Sequence, residues 1–410
     1  MNDFIKEMSA KNSEYLYQGE GFSEKLPSGI PTLDIALAGG IPLDGSLIEI
    51  YGEESHGKTS LAYRLCKRCT DNPDGYVTWC DSEVSYDPDW ARVQGLDTDR
   101  VISYRPPYME KANDIIIDDI RAYKERFLPW LIEPKWKPSA KDAEAAGVGI
   151  SNVEAIKAHM EKVAPPHMIV WDSLAASPVK SVAEEDAEYS SGMAYRARLI
   201  KSFLSRYMVA AIGCHKIGMI LINQVIDNIG SYGGGVTTPG GRGLRHGKHL
   251  SIYVKRAGSG EKDAENFKVT DYVMLSLTKN KVTPVIASFP VIFSKSRGFL
   301  GSTSVLEYLW NIQWFRSAGS WKKFDYNTID KETGEIITEE ISIQRGSFYD
   351  LIEKRPEIFE YLCHQIKNQL VEKFPIGQSL KDTDIQAVLQ SCFEESSAVP
   401  DEEELESLTE

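Results

Sequence analysis

Eight consecutive residues, Gly52-Glu53-Glu54-Ser55-His56-Gly57-Lys58-Thr59, fit the pattern GxxxxGK[ST]. They stand between an alternating strand-like run, Leu47 to Tyr51, and a helical pattern beginning at Ser60. In that setting the glycines let backbone N–H groups converge on phosphate oxygens, and the helix N-terminus adds positive potential. Lys58 would reach the terminal phosphates and Thr59 would ligate Mg²⁺, so the chemistry expected is that of a nucleoside triphosphate held with its metal.

A triphosphate site needs an acid for the metal and a group to orient water. The apolar run Met168-Ile169-Val170-Trp171 ends in Asp172, the candidate metal carboxylate. Glu83, just beyond the strand-like Tyr76 to Cys80, is the candidate catalytic carboxylate, with Asp81 as its local competitor. Asn223-Gln224 closes the apolar run from Met219 and offers an amide that could report on the terminal phosphate.

A third kind of signal lies in Ile229 to Gly243, which holds seven glycines, including Gly233, Gly234, Gly235, Gly240 and Gly241. Arg242, Arg245, His246, Lys248 and His249 follow. Such a loop can approach a phosphate chain closely, and the cations behind it supply the attraction that nucleic acid requires. Cys66 and Cys69 form a CxxC without a second pair at zinc spacing, and read as small buried side chains on the helix after the phosphate loop.

The elements that must position these groups alternate between strand and helix, which predicts an α/β core with a mostly parallel twisted sheet flanked by helices. Strands are expected at Met168–Trp171, Met219–Asn223, Leu250–Arg256 and Tyr272–Lys279, and helices at Gly192–Tyr207, Val153–Val163 and Phe348–Leu370. Residues from about 120 to 164, with Pro129, Pro134 and Pro138, read as an insertion or an extended crossover. The expected divisions are an N-terminal helix and linker (1–27), the core (28–300), a C-terminal domain (301–393) and an acidic disordered tail (394–410). Of the net charge of −14 on 410 residues, eight negative charges sit in that tail with no cation among them. No signal peptide or membrane-spanning run is read, which makes the expected location cytoplasmic, in a host cell if the chain is phage-encoded.

Taken in order, these blocks resemble the RecA family over roughly positions 26 to 300. They are Thr32–Leu37, Glu49–Leu61, Asp81-Ser82-Glu83 with Tyr86-Asp87-Pro88, Val170–Ala176, Ile222-Asn223-Gln224 with Thr237-Thr238-Pro239-Gly240-Gly241, and Lys279-Asn280-Lys281. The region after residue 300 looks more like phage UvsX recombinases. The resemblance implies an ATPase with Mg²⁺ that forms filaments on single-stranded DNA and exchanges it with a homologous duplex. Single-strand-binding and mediator proteins would be partners, and no membrane.

Carried over by match, Glu83 takes the place of the family's catalytic glutamate and Gln224 that of the switch to the DNA loop. Asp87 and Trp90 stand at the adenine-contacting places, Trp90 where the family commonly has tyrosine. Lys279 and Lys281 resemble a pair that reaches a neighbour's ATP. Arg196 stands where a DNA-contacting arginine is found, and 177–191 and 224–241 look like the two DNA loops. His56, and the acidic residues Glu184, Glu185, Asp186 and Glu188, depart from the pattern. The alternatives in other classes are a hexameric helicase, which would need an arginine finger and a ring-forming linker, and a mediator that binds without hydrolysing.

Overall fold

The computed structural model describes residues 22, 24–184, 192–227, 236–259, 269–329, 333–375 and 378–393. The expected N-terminal helix and the acidic tail lie outside the described residues. The same is true of Gly233, Gly234 and Gly235.

The central strand is β1 (Ser46–Gly52), followed by α1 (Lys58–Asp71), β2 (Tyr76–Asp81), α2 (Pro88–Val93), β3 (Val101–Tyr104), α3 (Met109–Phe127), β4 (His167–Asp172), α4 (Gly192–Ala210) and β5 (Ile217–Gln224). Then come α5 (Gly241–Gly247), β6 (Leu250–Ser259), β7 (Thr270–Asn280), β8 (Ser288–Ser294) and β9 (Gly298–Leu300). Among the described residues the principal sheet has nine strands in the order β9-β8-β7-β6-β1-β5-β4-β2-β3. The run from β6 to β3 is parallel, and β7 to β9 extend it antiparallel.

Strands buried on both faces carry near-continuous apolar runs, and here alternate residues divide between two cores. Ile48, Ile50, Met168 and Val170 face one core, which runs on into the C-terminal helices. Leu47, Ile169 and Trp171 face the other, beneath α3 and α4. Strand ends at one edge of the sheet therefore present Gly52, Asp81, Asp172 and Gln224 side by side, since Gly52 pairs with Gln224 and Asp81 with Asp172. Ligands of open parallel sheets bind outside such carboxyl ends.

Beyond β9 come α6 (Thr303–Asn311), a three-stranded antiparallel sheet of β10 (Arg316–Ala318), β11 (Trp321–Ile329) and β12 (Ile336–Ile343), then α7 (Phe348–Lys354), α8 (Pro356–Lys373) and α9 (Ile385–Phe393). The single helix expected over Phe348–Leu370 is two, because Pro356 has no N–H to continue the first and is well suited to start the second. The expected insertion also begins later than residue 120: α3 runs to Phe127, with Ile116, Ile120 and Tyr123 buried on one face. Cys66 and Cys69 are buried free thiols, and Cys69 donates to the Tyr76 and Pro166 carbonyls. Among the described residues no helix is long and apolar enough to cross a membrane.

Candidate functional site

The phosphate loop leaves β1 where β6 runs so close that a Cβ on Gly52 would sit 2.2 Å from the Val254 carbonyl oxygen. Only glycine fits there. The turn then passes through Ser55 at φ 60° and Gly57 at φ 92° before α1 begins at Lys58. Lys58 folds back over the loop and donates to the Glu53 carbonyl at 2.7 Å. Burial lowers its pKa, against the pull of Glu83, Asp172 and Glu54.

Thr59 Oγ1 donates to Asp172 Oδ2 at 3.0 Å, and the other oxygen of Asp172 is buried without a hydrogen bond. Burial, and then the charge of Glu83, push this carboxyl up to about 7. A hydroxyl and a buried carboxylate with an unsatisfied oxygen form an all-oxygen donor set, which suits Mg²⁺.

Glu83 is held by its neighbours rather than free in a loop. The Ser82 and Glu83 N–H groups both donate to the Asp172 carbonyl, at 2.6 and 3.3 Å. Ser173 Oγ and Gln224 Nε2 donate to the same Glu83 oxygen, the latter at 3.1 Å. Asp81 is spent elsewhere: it accepts from the Ser85 and Tyr86 N–H groups and pairs with Arg105 at 3.5 Å, holding the turn.

Asp87 caps α2, its Oδ1 accepting from the Asp89 and Trp90 N–H groups at 3.0 Å. Trp90 Nε1 donates to Ser60 Oγ at 2.8 Å, which ties α2 to α1, and the indole meets Phe293 at 6.1 Å. One open cavity of about 280 Å³ joins Glu54, Ser55, His56, Gly57, Lys58, Thr59 and Ser60 with Glu83, Asp172 and Gln224. Its far wall, Arg256, Asp271, Val273, Phe293 and Lys295, comes from β6, β7 and β8 and the turn after β8, and sequence motifs did not indicate it.

From Gln224 the chain enters the second expected DNA loop, whose base is fixed by pairing of Ile226 with Thr237 and of Asp227 with Val236. Thr238 is half-buried, and Gly240 (φ 118°) and Gly241 (φ 63°) turn the chain into α5, on which Arg242 and Arg245 are exposed. Asn223 Nδ2 donates both to the Pro239 carbonyl at 2.9 Å and to Glu49 at 3.0 Å. Lys248, grouped above with the DNA-facing cations, is instead buried in an ion pair with Glu49, with Ser251 Oγ donating to the same Glu49 oxygen at 2.9 Å. His249 likewise turns inward and accepts from the Leu47 N–H at 3.0 Å.

Arg196 is half-buried on α4 and donates to the Leu174 carbonyl at 2.5 Å and to that of Ala175, so it braces the turn after Asp172. In the first expected DNA loop, residues 185–191 lie outside the described residues. Lys279 Nζ donates to the Arg245 and His246 carbonyls at 2.5 and 3.4 Å, and Lys281 Nζ to that of His246 at 3.3 Å. Both ammonium groups thus meet the C-terminal end of α5, where the helix dipole favours cations. They sit at the sheet edge opposite the phosphate loop: Leu250 pairs with both Asn280 and Ile48, whereas the loop leaves β1 after Gly52. Four residues of strand, about 13 Å, separate those two levels.

The model of the RecA N-terminal domain matches residues 17–123 and 149–297. The chain belongs to the RecA family. Protein RecA of Fusobacterium nucleatum is 30% identical over 321 residues, which cover 77% of this chain and 72% of that protein. The RecA proteins of Malacoplasma penetrans and Petrotoga mobilis are each 28% identical, over 85% and 92% of this chain and 93% of their own lengths. The RecA match leaves out residues 124–148, which places the insertion largely after α3. With Petrotoga mobilis the likeness spans 397 residues and so takes in most of the region after residue 300.

Proposed function

We propose that this RecA-family recombinase polymerises head to tail on single-stranded DNA. ATP with Mg²⁺ would lie at each subunit boundary, and the filament would exchange its strand with a homologous duplex. The observation that carries the reading is the opposition of Lys58 and the Lys279–Lys281 pair across the sheet. Two halves of a phosphate site at opposite edges of one chain complete each other between copies in a heterologous interface. A cation supplied in trans stabilises the charge that develops on the transferred phosphoryl group.

Within one chain, Lys58 and the loop N–H groups would hold the β- and γ-phosphates, and Thr59 and Asp172 would hold Mg²⁺, which neutralises phosphate charge when bound. Glu83, oriented by Ser173 and Gln224, takes a proton from water aligned behind the γ-phosphate. Trp90 stacks on adenine beside Asp87. When the γ-phosphate is present, Gln224 can trade its bond to Glu83 for one to phosphate. Asn223, the next residue, carries that change to Pro239 and the glycine loop, where Gly233–Gly235, Thr237, Thr238, Gly240 and Gly241 track the DNA backbone with Arg242 and Arg245. Arg196 acts on the DNA side through the turn it braces.

The deciding experiment is ATP hydrolysis with and without single-stranded DNA, with electron microscopy of the same samples. Strong stimulation together with helical filaments supports the reading, closed hydrolysing rings favour a helicase, and filaments without hydrolysis favour a mediator. Mixing adds a second readout. Lys58→Ala and Lys279→Ala are each expected to be inactive alone. An equal mixture should recover about one active boundary in four, because an intact Lys58 then meets an intact Lys279 by chance. A mixture as inactive as its parts would show that the two lysines serve one chain.

Deleting 394–410 removes eight negative charges. The expected result is tighter duplex binding and an altered salt dependence; identical affinities across a salt titration would leave the tail a solubility element.

A further inference from the structure

Between the phosphate loop and the Lys279–Lys281 pair lies a buried ionic cluster that the mechanism above does not use. Glu49 stands on β1 three residues before Gly52, with its side chain fully buried. One carboxylate oxygen accepts from Asn223 Nδ2 at 3.0 Å, and the other receives the Lys248 ammonium together with Ser251 Oγ. Lys248 also donates to Ser251 Oγ at 3.0 Å, and its ammonium lies 5.6 Å from the centre of the Tyr51 ring. Each of these contacts ties Lys248 to β1 or β6 of the central sheet.

Lys248 is also the residue that ends α5, its N–H donating to the Leu244 carbonyl at 3.2 Å. The carbonyls of that last turn, from Arg245 and His246, are the acceptors of the Lys279 and Lys281 ammonium groups. Ser251 pairs with Lys279 in the β6–β7 register, and the Lys281 N–H donates to the His249 carbonyl at 2.9 Å. A helix of seven residues is too short to hold itself, so its anchors decide where it ends. The aim of both lysines therefore depends on the end of α5, and that end is held where Glu49 holds Lys248. Charge acts in the same direction. Lys281 and Lys248 stand close enough to Lys279 to add to the lowering of its pKa by burial, and Glu49 opposes them. Without that carboxylate the gathered ammonium groups would repel one another.

We propose that Glu49 and Lys248 are positioning residues for the lysines that each copy lends to its neighbour: they fix the end of α5 from which Lys279 and Lys281 take their aim. The inference rests on the shared-site reading given above. It assigns Glu49, which shares a strand with the phosphate loop of its own chain, to the half-site at the opposite edge.

The test uses Glu49→Gln combined with Lys248→Met, which removes the ion pair without leaving a buried charge and keeps an amide oxygen for Asn223. At saturating single-stranded DNA the double variant alone should lose about 10²-fold in kcat, the cost of misplacing a group by about 1 Å, with KM for ATP within about twofold. Mixing then assigns the loss, with Lys58→Ala plus Lys279→Ala as the control. Equal amounts of the double variant and Lys58→Ala should recover about one active boundary in four, since one offers an intact phosphate loop and the other intact lysines. Equal amounts of the double variant and Lys279→Ala should stay inactive, because neither brings well-placed lysines. With a control that recovers, any recovery with Lys279→Ala, no recovery with Lys58→Ala, or a wild-type kcat in the double variant alone would each overturn the proposal. An unfolded variant would rescue neither partner and so counts against it. A control that stays inactive would bring down the shared-site reading itself, and this inference with it.

Discussion

Replacing Glu83 by glutamine is expected to slow ATP turnover by about 10²- to 10⁴-fold, the usual worth of a positioned general base, while ATP and single-stranded DNA still bind. The amide keeps the size of the carboxylate and can still accept from Ser173 and Gln224, which meet at one oxygen. It cannot take a proton from water. The phosphate cradle at Lys58 and Thr59 is untouched, so nucleotide-dependent filaments should persist and live longer. Single-turnover hydrolysis on DNA, beside a binding titration with a slowly hydrolysed analogue, separates the two effects. Wild-type hydrolysis by the variant would remove Glu83 from the chemistry, and Asp81 could not easily replace it, since both its oxygens hold the Ser82–Tyr86 turn.

The largest expected loss of stability is at Lys248→Ala. Glu49 is fully buried in the middle of the central strand, and Lys248 is its only cationic partner among the ion pairs of the described residues. Removing one member of a buried pair leaves an uncompensated charge and costs about 3–5 kcal/mol. The midpoint of urea unfolding should therefore fall well below that of Arg242→Ala, whose side chain is exposed and whose loss should weaken DNA binding instead. Pairing Lys248→Met with Glu49→Leu should recover most of the loss, because an apolar pair of similar volume needs no compensation. Equal midpoints for Lys248→Ala and Arg242→Ala would mean that Glu49 finds another partner in the fold.

Lys248 also shows where sequence reading fails. In the chain it follows Arg242, Arg245 and His246, and a run of cations beside a glycine loop reads as a nucleic-acid face. The fold turns the chain between His246 and Leu250 and sends Lys248 inward, to a carboxylate 199 residues away in sequence. Asp271, in the far wall of the nucleotide cavity, was equally illegible, because its partners Arg256 and Lys295 arrive from two other segments and no local spacing records that meeting. What was legible had a local cause. The phosphate loop depends on glycines fixed between a strand and a helix, and β4 and β5 are apolar runs of strand length ended by a polar side chain at the sheet edge. Helix α3 was missed because its buried face, Met109, Ala112, Ile116 and Ile120, is narrow and set among charges. The break at Pro356 was available from residue type alone, and periodicity overrode it.

The placing of Lys58 and the Lys279–Lys281 pair at opposite edges of the sheet gives any row of these molecules a head and a foot. With the centres completed between copies as proposed, a row of n copies would have n − 1 finished ones, and one protomer at the head would wait with a loaded but incomplete one. Short rows would then be poor enzymes per molecule and long rows would approach full capacity, so specific activity should climb with protein concentration before it levels off. In the proposed filament the waiting protomer is the place where the next copy is added, and a copy that supplies the lysines but lacks Lys58 would finish that centre while bringing none of its own.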